Sequence, residues 1–148
     1  AVIDFSKIYQ DSGLVVMVNG DNTSDINSVE DLAGKTVAVE KGTASHAYAT
    51  KNLADSEIQV HDTITTAYLS LEQGKVDAVI QDGPGAAFYI KTATDTKLKV
   101  VGDEFNQGQS PYALAFTKGF KYVDLFNAAL DELEADGTMA KLAEKWCK

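Results

Sequence analysis

Val76-Asp77-Ala78-Val79-Ile80-Gln81-Asp82-Gly83-Pro84-Gly85 is the stretch that decides how this chain folds. Its first half is a short apolar run with β-branched residues, which predicts a strand buried on both faces. Gly83, Pro84 and Gly85 then open a helix through Ala86-Ala87-Phe88-Tyr89-Ile90. Asp82 therefore stands at the carboxyl end of a strand, where open α/β sheets place their ligand crevice. Upstream, Thr36-Val37-Ala38-Val39-Glu40 ends the same way. It runs through Lys41-Gly42-Thr43-Ala44-Ser45 into a second helix.

The same alternation extends in both directions. Strands are expected at residues 14–18, 36–40, 58–60, 78–81 and 98–101. Helices are expected at 43–53 and 86–91, and from a Thr63 or Thr65 cap to Gly74. Ser28 is expected to cap a short helix that stops at Gly34. Gly20-Asp21-Asn22-Thr23-Ser24-Asp25 reads as a polar loop. This order predicts a parallel, doubly wound α/β sheet. After Gly102 the pattern changes. A polar crossing segment through Pro111 leads to the strand Tyr112-Ala113-Leu114-Ala115-Phe116. Two helices follow, one with Tyr122, Phe126, Ala129, Leu130 and Leu133 on one face, the other capped by Thr138 and carrying Trp146. Tyr122, Phe126 and Trp146 are expected in a core, although one strand gives these helices little sheet to cover.

The chain has 148 residues, 45% hydrophobic, with 13 Lys+Arg against 22 Asp+Glu and a net charge of −9. Every basic residue is Lys. Nucleic acid is a poor partner for this balance, because phosphate contacts need clustered Lys or Arg. Leu14-Val15-Val16-Met17-Val18 is the longest apolar run, too short to cross a bilayer. No signal peptide is visible and the first residue is Ala1, so a processed or trimmed product is expected. The single cysteine, Cys147, excludes an intrachain disulfide; that composition suits the cytoplasm and suits many exported bacterial proteins. His46 and His61 lack metal-ligand spacing, and no metal or cofactor is expected. No nucleophile motif or phosphate loop is present.

Two chemistries converge in this pattern. A helix start at Gly42-Thr43-Ala44 favours an anion through its free amides and dipole. Asp82 accepts a cation. A free α-amino acid carries both charges on one carbon. The residues alone also allow Thr43 and Asp82 to be plain helix caps, and Glu40 to point to solvent.

Several motifs, in order, resemble the periplasmic solute-binding proteins of polar amino-acid ABC importers. They are Ile3-Asp4-Phe5-Ser6 with Tyr9 and Ser12-Gly13-Leu14, and Val29-Glu30-Asp31-Leu32-Ala33-Gly34-Lys35-Thr36-Val37-Ala38-Val39 with Lys41-Gly42-Thr43. Next come Gly74-Lys75-Val76-Asp77-Ala78-Val79, Asp82-Gly83-Pro84 and Tyr112-Ala113-Leu114-Ala115-Phe116, and last Ala135-Asp136-Gly137-Thr138 with Glu144-Lys145-Trp146. The glutamine-binding branch is the nearest in pattern. The resemblance implies a two-lobe fold, with residues 20–105 a complete second lobe and residues 1–19 and 106–148 the remainder of the first with its crossing strands. Two βα units of lobe 1, which carry the aromatic wall and the carboxylate-pairing Arg, have no counterpart here. Truncation, or a second chain supplying those elements by association or swapping, is the expectation.

The resemblance further implies that Gly42, Thr43 and Ala44 take the ligand carboxylate and Asp82 its ammonium, with Glu40 and Gln81 beside the ligand side chain. Glutamine binders typically have Lys and His at the latter two positions. Glu40 would accept from an amide or a cationic side chain and repel glutamate. The implied function is non-enzymatic delivery of a polar amino acid, glutamine first, then arginine, lysine or histidine, to an ABC permease. The implied site of action is periplasmic or extracellular, with a lipid anchor as one mode of attachment. A dehydratase-like enzyme using Glu40 or Asp82 as acid, and a receptor sensor domain, are the alternatives. Tyr9 and Tyr112, near the crossings, are expected to pack the hinge or cover the ligand.

Overall fold

A computed structural model describes residues 2–21 and 25–147. The expected loop at Asn22, Thr23 and Ser24 lies outside them. The chain folds as β1 (Ile3–Gln10), β2 (Leu14–Asn19), a single 3-10 turn (Val29–Leu32), β3 (Thr36–Glu40), α1 (Ala44–Asn52), β4 (Glu57–His61) and α2 (Ile64–Glu72). It continues with β5 (Ala78–Asp82), α3 (Gly83–Thr92), β6 (Leu98–Phe105), β7 (Tyr112–Thr117), α4 (Val123–Ala135) and α5 (Thr138–Trp146).

Five strands form one sheet in the order β4-β3-β5-β2-β6. β3 runs parallel to both β4 and β5. The expected all-parallel sheet is corrected at β2, which is antiparallel to both neighbours, with Met17 opposite Val79 on one side and Val100 on the other. An apolar strand buried on both faces reads the same in either direction, so composition cannot set its polarity.

Period-two alternation splits the sheet into two cores. Val16, Val18, Val37, Val39 and Ile80 face α1, where Ala49 and Tyr48 pack. Met17, Ala38 and Val79 face α2 and α3, where Tyr68, Leu71 and Ala86 pack. Helices thus cover both faces, as the doubly wound expectation requires. Each fully buried Val, Leu or Met contributes about 1.5–3 kcal/mol.

The second sheet has two antiparallel strands, β1 and β7, with register shifts around Ile8. No element was expected before residue 14, because the register shifts break the alternation that would have announced β1 as a strand. α4 lies on β1, where Lys7 pairs with Asp131 and Glu134 and its amide donates to Asn127 Oδ1 at 2.8 Å. Phe116, Phe120 and Phe126 form a ring cluster with centroids 5.0–6.1 Å apart. Tyr122, Phe126 and Trp146 nevertheless stay 41–47% exposed, which corrects their placement in a core. Two strands are too narrow to cover two amphipathic helices, and Phe5, Ile8 and Leu125 share that exposure. Trp146 instead leans on Phe88 of α3, centroids 6.1 Å apart. Thr138 opens α5 but is not its cap: Gly137 is, in the left-handed region, and Asp136 accepts the Thr138 amide at 2.8 Å.

Two segments connect the sheets. The first, residues 11–13, is pinned at Gly13, whose amide donates to Glu104 Oε1 and whose carbonyl accepts from Gly83 N at 3.1 Å. The second, residues 106–111, joins β6 to β7.

Candidate functional site

Two strand ends and the second crossing enclose a cavity of about 270 Å3. β3 and β5 are neighbours in parallel, so Glu40 and Asp82 emerge at the same sheet edge. The turn after each strand starts a helix, which brings two helix N-termini to that edge.

Five of the six expected residues, Glu40, Thr43, Ala44, Gln81 and Asp82, line this cavity. Gly42 does not. Its amide donates to His46 Nδ1 at 3.1 Å, which corrects the expectation of a free donor there. Gly42 instead supplies the turn, with φ of 79°. Thr43 is the N-cap of α1: its Oγ1 accepts from His46 N at 3.3 Å, donates to Glu40 O at 2.7 Å and meets Ser45 Oγ at 2.8 Å. The first-turn amides of Ala44 and Ser45 have no intrahelical acceptor, as at any helix start. Their dipole end faces the cavity, so an anion is favoured there.

Asp82 is the N-cap of α3, accepting from Gly85 N at 2.9 Å through Oδ2. The capping reading of Asp82 is therefore real, and it coexists with a place in the cavity wall. The same Oδ2 accepts a hydrogen bond from the Tyr112 hydroxyl. Tyr112 opens β7, so this bond spans from the five-stranded sheet to the two-stranded one. Burial, then the Asp82 hydrogen bond, push the Tyr112 phenol above its ordinary range. Tyr9 tilts against it, centroids 6.3 Å apart.

The remaining wall comes from residues that sequence reasoning missed. Ser110 and Pro111 belong to the crossing segment, Ser45 and Ile64 to helices, and Leu14 to the start of β2. Ser110 and Pro111 carried one signal, their place in an expected crossing, as did Tyr112 beside it. Gln81 Oε1 and Ser110 Oγ are buried with no hydrogen-bond partner, a costly state for a polar atom. The Tyr68 hydroxyl, in the core beneath, shares that condition. Burial pushes its phenol up, and the charges of Asp82 and Glu40 add to the shift. The wall holds two carboxylates and no Lys. Among the described residues no group of three His, Cys, Asp or Glu side chains is placed to hold a metal ion, and no helix is long and apolar enough to cross a membrane.

The model of bacterial extracellular solute-binding proteins, family 3, matches residues 1–148. The L-cystine-binding protein TcyJ of Escherichia coli (strain K12) is 34% identical over 97% of this chain and 53% of its own length. The arginine-binding extracellular protein ArtP of Bacillus subtilis (strain 168) is 30% identical over 97% of this chain and 56% of its own. The chain thus spans about half the length of these curated relatives, which are named as binding proteins and not as enzymes. An ancestral arginine-binding protein bound to glutamine superimposes with a TM-score of 0.81 at 36% identity, covering 97% of this chain and 63% of that one. The architecture is accordingly part of a mixed α/β periplasmic-binding-protein fold. On the match over its whole length, the chain belongs to the bacterial extracellular solute-binding proteins, family 3.

Proposed function

We propose that the cavity between Thr43 and Asp82 binds a polar L-amino acid for delivery to an ABC importer, outside the cytoplasmic membrane. One observation carries this reading: an anion-favouring helix start and an acidic side chain line the same cavity. The α-carboxylate would meet the first turn of α1, and the α-ammonium Asp82. In the same reading residues 20–105 act as one lobe and the two terminal segments as part of the other, closing about the two crossings.

Glutamine remains the first ligand, because its amide NH₂ can donate to Glu40 and to Gln81 Oε1. Glu40, Gln81 Oε1 and the lack of a Lys in the wall equally favour arginine, lysine or histidine. Glutamate is disfavoured by like charge. The relatives bear this breadth in their names, one for cystine and one for arginine. Binding by these 148 residues alone is expected to be weak, tightening if a second chain covers the exposed Phe5, Ile8 and Leu125 face.

Calorimetric titration with the twenty amino acids tests the proposal. Glutamine or a cationic amino acid should bind best, and Glu40→Gln should weaken the cationic ligands most. A preference for glutamate would refute the ligand choice, and no binding at any concentration would refute the amino-acid reading itself. Tight one-to-one binding by a monomer would refute only the weak-binding expectation.

A further inference from the structure

Asp82 has two carboxylate oxygens. Oδ2 is held from both sides, by the Gly85 amide at 2.9 Å and by the Tyr112 hydroxyl. Both side chains line the cavity. The carboxylate is a short side chain with a broad terminal torsion, and one hydrogen bond at a single oxygen leaves it free to swing. A second bond to the same oxygen, from a different part of the fold, fixes the plane. Oδ1 is then the oxygen left to receive a ligand donor. Tyr112 is itself constrained: it is half-buried, Tyr9 tilts against its ring, and its backbone pairs with Gln10 in the small sheet.

We infer that Tyr112 is a positioning residue for ligand recognition: its hydroxyl holds the Asp82 carboxylate so that one oxygen caps α3 and the other serves the ligand's α-ammonium. This rests on the amino-acid reading of the cavity. The raised Tyr112 phenol agrees with a hydroxyl that stays protonated and donating across the neutral range. The arrangement also makes the ammonium site depend on both sheets, since Asp82 ends β5 and Tyr112 begins β7.

A double-mutant cycle on the full chain tests this, with L-glutamine and L-arginine as probes in an NMR titration. Tyr112→Phe should weaken both about tenfold. Asp82→Asn should weaken them at least as much, and adding Tyr112→Phe to Asp82→Asn should cost almost nothing further. Full additivity, or unchanged binding by Tyr112→Phe, overturns the inference and leaves the amino-acid reading standing. A wild-type chain that binds none of the twenty amino acids overturns that reading and this inference with it. The ring carbons of labelled tyrosine give a second measurement that needs no ligand. In Asp82→Asn the Tyr112 phenol should titrate closer to the ordinary tyrosine value, and an unmoved titration overturns the inference.

Discussion

Replacing Gly85 by alanine separates stability from recognition. Gly85 is the third residue of α3 and has no side chain to offer the core. A Cβ there would stand 2.7 Å from Asp82 Oδ2 and closer still to Gln81 Nε2. The first distance is about 0.7 Å inside the 3.4 Å at which ordinary contact begins. The clashing atoms are the ends of two side chains and not backbone, so the helix survives and the side chains move. Alanine favours the helix over glycine by roughly 0.5–1 kcal/mol, while loosening the Asp82 cap costs about 1 kcal/mol. These offset, and the folding free energy should stay within about 1 kcal/mol of wild type. Recognition has no such offset. Displacing Asp82 and Gln81 removes at least one charge-assisted hydrogen bond, about 1.5–3 kcal/mol, or tenfold to a hundredfold in affinity. Urea unfolding and an NMR titration with L-glutamine and L-arginine, run on the same samples, read both quantities. Unaltered affinity in a normally folded Gly85→Ala protein would refute the placement of Asp82 and Gln81 against the ligand.

Two further outcomes concern folding. Gly13→Ala puts a Cβ 2.5 Å from the Phe105 carbonyl oxygen and 2.7 Å from Glu104 Cγ; backbone cannot step aside as a side chain can, so the loss should exceed about 2 kcal/mol, and a urea midpoint matching wild type would contradict it. Tyr68 and Tyr112 are both held protonated above the ordinary tyrosine value of 10.0. The unfolded chain releases those protons first, so stability is intact below about pH 10 and falls as pH rises beyond it. Melting temperatures from pH 8 to 11 should drop most steeply above 10, less so in Tyr112→Phe, and a flat profile would contradict the assignment.

What the sequence made legible was local. Thr43 and Asp82 could be placed because each closes an apolar strand and opens a helix, a signal contained within ten residues. Their meeting in one cavity followed from β3 and β5 being parallel neighbours. Ser110 and Pro111 were not legible as wall residues, because their approach depends on a crossing segment whose path no local pattern encodes. The Tyr112–Asp82 bond joins residues thirty apart in the chain, and a tyrosine at the head of a strand looks the same with or without it. The Gly42–His46 contact was hidden for a similar reason: His46 lies one helical turn on, and only the fold shows that its ring nitrogen takes the Gly42 amide. The strand β1 was hidden by its own register shifts, and the polarity of β2 by its uniform composition.

β2 has one more consequence, for the chain while it is being made. Leu14–Asn19 leaves the ribosome ahead of both its partners, β5 and β6, which begin only at residues 78 and 98. Until then an apolar ribbon waits with both edges open, a template for any other unpaired strand nearby. An interior strand of the sheet is made before the strands that flank it, so a nascent polypeptide stalled between β2 and β5 is prone to aggregate.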